Sequence, residues 1–194
     1  MHLNSLMLYT NLRNLALSIL NSMKLLKSII AMAAFFQLWG SNADAQIKTG
    51  DKIPAFSLQD QNGKTFDVTT VLGKQPLVIY FYPKDETSVC TKEACSFRDS
   101  FQDFQQYGAM VIGISSDGVA SHKSFATHHN LPFTLLSDPK NEVRKLFGVP
   151  KTFVIPGRVT YIVDKRGIVV HEFNSLRDGE KHVTEALAAL KKMQ

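Results

Sequence analysis

The sequence predicts an α/β domain in which a central mixed β-sheet is flanked by helices and preceded by an N-terminal β-hairpin. Three observations predict it: an early hairpin pattern, a run of buried strands alternating with helices, and a late hairpin followed by an amphipathic helix. Strands that alternate with helices are typical of a sheet covered on both faces. The 194 residues, 44% of them apolar, suffice for one such domain and an additional segment.

The early elements are strands. Residues 56–58 and 64–68 alternate apolar and polar side chains around Gln61-Asn62-Gly63, which is typical of a hairpin whose turn needs a positive φ. Residues 77–81 are continuously apolar, which predicts a strand buried on both faces.

Helices and strands then alternate to the end of the chain. We expect a helix at 88–107, a strand at 109–114, a helix at 119–129, a strand at 133–136 and a helix at 141–147. A second hairpin is predicted at 159–163 and 168–173, and an amphipathic helix at 179–193.

Residues 1–45 are predicted to be an N-terminal extension with an export signal. A basic start at residues 23–27 precedes an apolar run at 29–39 and the small-x-small cleavage pattern Ala43-Asp44-Ala45. We expect translation to begin at Met23 and cleavage to follow Ala45, so that residues 46–194 form the exported domain, periplasmic or secreted. If the segment is not used, the protein is cytoplasmic. After cleavage we expect no stable membrane association.

The composition excludes several classes of protein. The formal net charge is +5, and no block of like charges indicates a nucleic-acid partner. The apolar content argues against disorder. We expect no cofactor, because no phosphate-binding loop and no haem, flavin or nicotinamide motif is present.

The two cysteines of the chain, Cys90 and Cys95, are the most informative residues. Cys90 heads a stripe of small or apolar residues on one helix face, at positions 90, 94, 97, 101 and 104. With Thr87 or Ser88 as N-cap, Cys90 lies in the first helical turn, where free N–H groups and the helix dipole favour a thiolate. An inert core cysteine is the alternative on position alone.

The spacing of the two cysteines favours a redox role. On an ideal helix, residues five apart have Cα atoms about 8.6 Å apart, whereas a disulfide needs less than about 7 Å. The thiols therefore cannot bond while the helix is intact, which predicts a switching disulfide that forms when the helix unwinds. A fitting reaction is oxidation of Cys90 to a sulfenic acid by peroxide, followed by attack of Cys95.

These residues resemble the peroxiredoxins, and within them the bacterioferritin comigratory protein or Q class. Pro83-x-x-x-Thr87-x-x-Cys90 matches the active-site motif, and residues 90–99, CTKEACSFRD, match the Q-class continuation. The resemblance extends from about residue 47 to the C-terminus. It implies a thioredoxin-like fold and a peroxidase for hydrogen peroxide, with organic hydroperoxides as further substrates.

The resemblance also implies roles for individual residues. Cys90 would be the peroxidatic and Cys95 the resolving cysteine, with an intramolecular disulfide between them. Thr87 would orient the peroxide and Pro83 would limit water around the thiolate. Arg158, in RVTYIVD, would stabilise the thiolate and the charge on the breaking oxygen–oxygen bond. A thioredoxin-like donor would recycle the protein, which is expected to be a monomer.

Ser88-Val89 departs from the family pattern, since many Q-class members have Pro-Gly there. A protein-disulfide oxidoreductase remains an alternative, but its Cys-x-x-Cys motif and its proline before the late strand are missing. A module that binds metal through thiols and histidines is another. Its best histidines, His128-His129, are interpreted as a solvated helix end. Glu93, Arg98 and Asp99 are interpreted as helix-surface pairs.

Overall fold

The structure is a computed structural model, and it describes residues 46–152 and 154–194. The predicted extension at 1–45, with its start at Met23 and its cleavage site, lies outside the described residues. Within residues 46–152 and 154–194, no helix is both long and apolar enough to cross a membrane.

The described chain is built around a seven-stranded mixed sheet, which confirms the predicted fold class. The seven strands are β1 (Ser57–Asp60), β2 (Thr65–Asp67), β3 (Leu77–Phe81), β4 (Met110–Ser115), β5 (Thr134–Ser137), β8 (Val159–Val163) and β9 (Val169–Asn174). Their order in the sheet is β2-β1-β5-β4-β3-β8-β9.

The centre of the sheet brings the beginning of β8 beside the end of β3. Strands β3, β4 and β5 are parallel, whereas β8 runs antiparallel to β3 and pairs Phe81 with Val159. The predicted early hairpin, β1 and β2, joins the sheet through an antiparallel β1–β5 pair. A separate two-stranded sheet, β6 (Lys151–Thr152) with β7 (Ile155–Pro156), was not predicted, because two-residue strands carry no periodic pattern.

Five α-helices are described, and each corresponds to a predicted helix or part of one. They are α1 (Ser88–Asp99), α2 (Phe101–Gln106), α3 (Val119–His128), α4 (Glu142–Leu146) and α5 (Gly179–Lys191). The prediction of one helix at 88–107 was wrong in one respect, since the helix is interrupted at Ser100, which ends α1 and precedes α2. Serine competes for backbone hydrogen bonds and favours helix ends over helix interiors.

Side chains of β3 alternate between two cores. Val78 and Tyr80 face a cluster that contains Cys90 and Phe97 of α1. The other face of β3, with Ile79, packs against a cluster that includes Val143 of α4. The sheet is thus covered on both sides, and α1 with its cysteine lies over the middle of one face.

Candidate active site

Cys90 lies where β3 leads into α1. Thr87 is the N-cap of α1 with an extended backbone, and no side chain caps the helix. Cys90 is the third helical residue and is almost completely buried, at 1% exposure. Its sulfur therefore lies in the first turn, beside the positive end of the helix dipole.

Arg158 reaches Cys90 from the neighbouring strand. It directly precedes β8, and the pairing of Phe81 with Val159 places it at the end of β3 from which the chain continues to Cys90. Its Nη2 donates to Cys90 Sγ at 3.1 Å, and its Nε donates to the carbonyl of Leu176 at 3.3 Å. Burial opposes its charge, but the neighbouring Glu93 and Cys90 raise the pKa of Arg158 above the usual arginine value.

Glu93 is the third member of this cluster, and its interpretation as a helix-surface residue was wrong. It is fully buried, and its Oε2 accepts a hydrogen bond from Nη1 of Arg158. Burial raises the pKa of Glu93, while Arg158 acts in the opposite direction. Position 93 is three residues after Cys90 and four before Phe97, so the spacing alone could have indicated the buried face. Arg98 and Asp99 do form the expected surface pair, at 2.8 Å.

His182 of α5 closes the far side of the cluster. Its Nε2 lies 2.9 Å from the carbonyl of Ser175, so this nitrogen carries the proton, and Nδ1 accepts from the hydroxyl of Thr160 at 2.7 Å. Burial lowers the pKa of His182 to about 4. Glu93 Oε1 lies 3.7 Å from His182 Nδ1 and has no hydrogen-bond partner in the described structure. A neutral imidazole therefore faces the carboxyl group.

The other predicted site residues lie on the same segment as Cys90. Cys95 is partly buried within the uninterrupted helix α1, and both cysteines are free thiols. Thr87 is exposed, and its hydroxyl donates to the carbonyl of Lys84 at 3.0 Å. Pro83 is half-buried two residues after β3. The structure thus brings Arg158 into direct contact with Cys90, whereas no hydrogen bond in residues 46–152 and 154–194 joins Thr87 to that sulfur.

Polar contacts that were not predicted from the sequence hold the loop between β3 and α1 in place. Asp85 is buried and accepts hydrogen bonds from Tyr82 Oη at 2.7 Å and Ser121 Oγ at 2.7 Å, and it contacts His122 Nδ1 at 2.9 Å. Arg144, also buried, donates to the carbonyl of Tyr82 at 2.7 Å.

Arg144 also donates to the carbonyl of Gly157 at 2.7 Å. One guanidinium therefore holds the residue that follows β3 and the residue that precedes Arg158. Burial lowers the pKa of Arg144 to about 10, so it remains charged at neutral pH. The two carbonyl partners of Arg144 are distant from it in sequence, and no local sequence pattern predicts these contacts.

Comparisons with known proteins agree with this geometry. The AhpC/TSA family matches residues 49–172. The chain is 48% identical over 151 residues to the chloroplastic peroxiredoxin Q of Populus jackii, covering 77% of this chain and 70% of the relative. It is 51% identical over 149 residues to the chloroplastic peroxiredoxin Q of Arabidopsis thaliana, covering 76% and 68%.

Solved structures give the same result. The peroxidoxin BcpB of Mycobacterium tuberculosis has a TM-score of 0.73 and 35% identity, over 77% of this chain and 99% of that one. A PrxQ variant from Xylella fastidiosa has a TM-score of 0.69 and 28% identity, over 77% and 98%.

A thioredoxin-like fold with a thiol held against a buried arginine, together with these matches, defines a thiol-dependent peroxidase, and the chain belongs to the AhpC/TSA family. Within that family it is a homologue of peroxiredoxin Q. As a peroxiredoxin, it reduces peroxides with electrons from a thioredoxin-like donor. The relatives favour neither a protein-disulfide oxidoreductase nor a metal-binding module. An N-terminal targeting sequence is in keeping with the chloroplastic relatives.

Proposed function

We propose that Cys90 is the peroxidatic cysteine and Cys95 the resolving cysteine of this peroxidase. The Cys90 thiolate attacks one oxygen of the hydroperoxide, the oxygen–oxygen bond breaks, and the other oxygen leaves as water or an alcohol after taking up a proton. The Cys95 thiol then attacks the sulfenic acid, which gives a disulfide and one molecule of water. A reduced dithiol donor returns both cysteines to thiols and becomes a disulfide itself.

The observation that carries this proposal is the contact of 3.1 Å between Arg158 Nη2 and Cys90 Sγ. A guanidinium in a buried site stabilises an adjacent thiolate more strongly than it would in water. Because Glu93 and Leu176 hold the other nitrogens of Arg158, its position is fixed before the substrate arrives. The same group then faces the negative charge that develops on the peroxide oxygens.

Thr87 and Pro83 complete the proposed site. Thr87 is one helical turn before Cys90, and we assign to its hydroxyl the orientation of the peroxide. For this role the hydroxyl must exchange its bond to Lys84 for one to the substrate. Pro83, which has no N–H group, limits the water that can reach the thiolate.

Resolution requires α1 to unwind. Both cysteines lie within one helix, Ser88–Asp99, where an ideal geometry separates their Cα atoms by about 8.6 Å. This separation exceeds the limit for a disulfide, so the first turns must open before the sulfurs can meet. The folded helix is the form that reacts with peroxide, and the unwound helix is the form that is reduced again.

The proposal includes the setting of the enzyme. Translation begins at Met23, the export signal lies between Met23 and Ala45 and is cleaved after Ala45, and the domain 46–194 acts in the periplasm or as a secreted protein. Its donor must then be an exported thioredoxin-like protein. The domain acts as a monomer without stable membrane association, and hydrogen peroxide and organic hydroperoxides are its substrates.

Mass spectrometry after one equivalent of hydrogen peroxide tests the chemistry directly. The parent protein should lose two hydrogens in the peptides that contain Cys90 and Cys95. Cys90→Ser should consume no peroxide, whereas Cys95→Ser should complete one turnover and gain one oxygen at Cys90. Peroxide consumption that survives in Cys90→Ser would refute the assignment.

A further inference from the structure

A second cluster of chemically competent side chains is formed by Glu86, on the loop that leads into α1, and by His128 and His129, at the C-terminal end of α3. Glu86 contacts His128 Nδ1 at 3.2 Å through Oε1 and His129 Nε2 at 2.9 Å through Oε2. One ligand atom from each residue can be chosen so that all lie within 4.8 Å of one another. It is the one group of three such side chains found in residues 46–152 and 154–194 with this geometry.

We propose that Glu86, His128 and His129 bind a divalent transition-metal ion of the zinc class, which ties the C-terminal end of α3 to the segment that precedes Cys90. Two imidazoles and one carboxylate are a ligand set that proteins use for Zn²⁺. Ligand atoms at about 2.0–2.1 Å from a tetrahedral zinc lie about 3.3 Å from each other. The two observed Glu86–histidine distances are already close to that edge length.

The three residues are held in place by the fold. His129 is the C-cap of α3, its ring packs edge-on against Phe125 at 5.0 Å, and its side chain is 17% exposed. The ring of His128 stacks on that of His129 at 4.5 Å. Glu86 has a positive φ of 59°, a conformation that non-glycine residues seldom adopt. In this conformation the loop orients the Glu86 carboxylate toward the imidazoles of His128 and His129.

The cluster remains open to an ion from solvent. The side chain of His128 is 70% exposed and that of Glu86 is 47% exposed. Three protein ligands leave at least one coordination position for water. Neither cysteine takes part, so occupancy does not compete with the thiol chemistry, and the proposal does not depend on the roles assigned to Cys90 and Cys95.

Calorimetric titration of the full chain with ZnSO₄ tests the site. Cys90→Ser and Cys95→Ser are both introduced, because thiols would otherwise bind zinc. One ion should bind, and Glu86→Gln or His128→Ala should weaken binding by at least about tenfold. His128→Ala alters a largely exposed side chain, so it tests the site even if Glu86→Gln perturbs the loop. Mg²⁺ should not bind, since it prefers oxygen ligands.

A matched control is present in the chain. His171 Nε2 lies 3.1 Å from Glu185 Oε2, which is the same contact with only one imidazole, so His171→Ala should leave zinc affinity unchanged. Zinc should also slow amide hydrogen exchange in residues 84–91, and this slowing should disappear in Glu86→Gln. Absent binding, equal binding in all variants, or binding without slower exchange overturns the proposal.

Discussion

At the level of single residues, Arg158 has the clearest expected effect. Replacing Arg158 with Ala should slow oxidation of Cys90 by about 100-fold or more, because a fixed cationic donor to the thiolate and to the breaking bond is lost. The oxidation rate of Arg158→Lys should lie between those of the parent and of Arg158→Ala. A lysine keeps the charge but cannot contact Cys90, Glu93 and Leu176 with one planar group.

The rate of Cys90 oxidation under single-turnover conditions is the measurement. Arg98→Ala is the control, because Arg98 is a partly exposed arginine on the same helix as Cys90 and is paired with Asp99. It should change the rate little. A loss smaller than about threefold in Arg158→Ala would remove Arg158 from the site.

His182 should make the stability of the protein depend on pH. The folded protein holds His182 neutral with a pKa of about 4, against 6.5 in the unfolded chain. Between these values the unfolded state binds more protons, so the stabilisation is complete above pH 6.5 and is lost as the pH falls toward 4. The difference corresponds to about 3 kcal/mol.

Urea unfolding of the parent and of His182→Gln at pH 7 and pH 4 checks this expectation. The loss of unfolding free energy on acidification should be smaller in His182→Gln by about that amount. His171→Gln, at a partly exposed position, should behave like the parent. An identical pH dependence in the parent and in His182→Gln would show that burial does not hold His182 neutral.

The residues of the site differ in how well the sequence could reveal them. The buried position of Cys90 was predictable from the periodic stripe, whereas Arg158 was singled out only by its motif. Glu93 pairs with a residue 65 positions away, and Arg144 binds carbonyls 13 and 62 positions away. Such partners are set by strand register and helix packing, which a local pattern does not contain. From the sequence alone, a buried charged residue therefore cannot be told from a surface one, because its partner in the fold is not known.

At the level of elements, the packing of α5 on α1 should control how easily α1 unwinds. Gly179 begins α5, and a Cβ there would lie 2.9 Å from the Val89 carbonyl oxygen and 3.0 Å from Glu93 Cβ. Gly179→Ala should push the two helices apart, lower the unfolding free energy by about 1–3 kcal/mol and accelerate disulfide formation. Disulfide formation requires α1 to unwind, so a less stable α1 should form the disulfide faster.

Urea unfolding and quenched-flow mass spectrometry of the Cys90–Cys95 disulfide measure both effects. Gly118→Ala is the matched control, since a Cβ at Gly118 meets nothing within 4 Å. It should leave the rate of disulfide formation unchanged. Slower disulfide formation in Gly179→Ala would show that this contact does not hold α1 closed.

Elements were predictable where a pattern extended over several residues and not where the feature covered only one or two. The apolar run of β3 and the stripe of α1 gave the right type and position, because burial against one face imposes a period on many residues. The break at Ser100 and the strands β6 and β7 depend on local packing over one or two residues. The register between β3 and β8, which creates the Cys90–Arg158 contact, follows from the sheet as a whole.

At the level of the whole molecule, the second residue of the predicted mature protein, Ile47, is part of the hydrophobic core. The backbone N–H of Ile47 donates to the carbonyl of Phe147 at 3.1 Å. The side chain of Ile47 is buried in the core on the α4 side of the sheet. Removal of residues 1–45 should therefore leave these contacts intact.

A protein that begins at Gln46 is the reference for the processed domain. Relative to it, a protein that begins at Lys48 should lose about 2–4 kcal/mol of unfolding free energy, because it lacks the burial of Ile47 and its backbone hydrogen bond. Intact-mass measurement of the exported protein should report Gln46 as the first residue. A mature N-terminus beyond Ile47 would contradict the proposed cleavage, because processing would then remove a residue that the core buries.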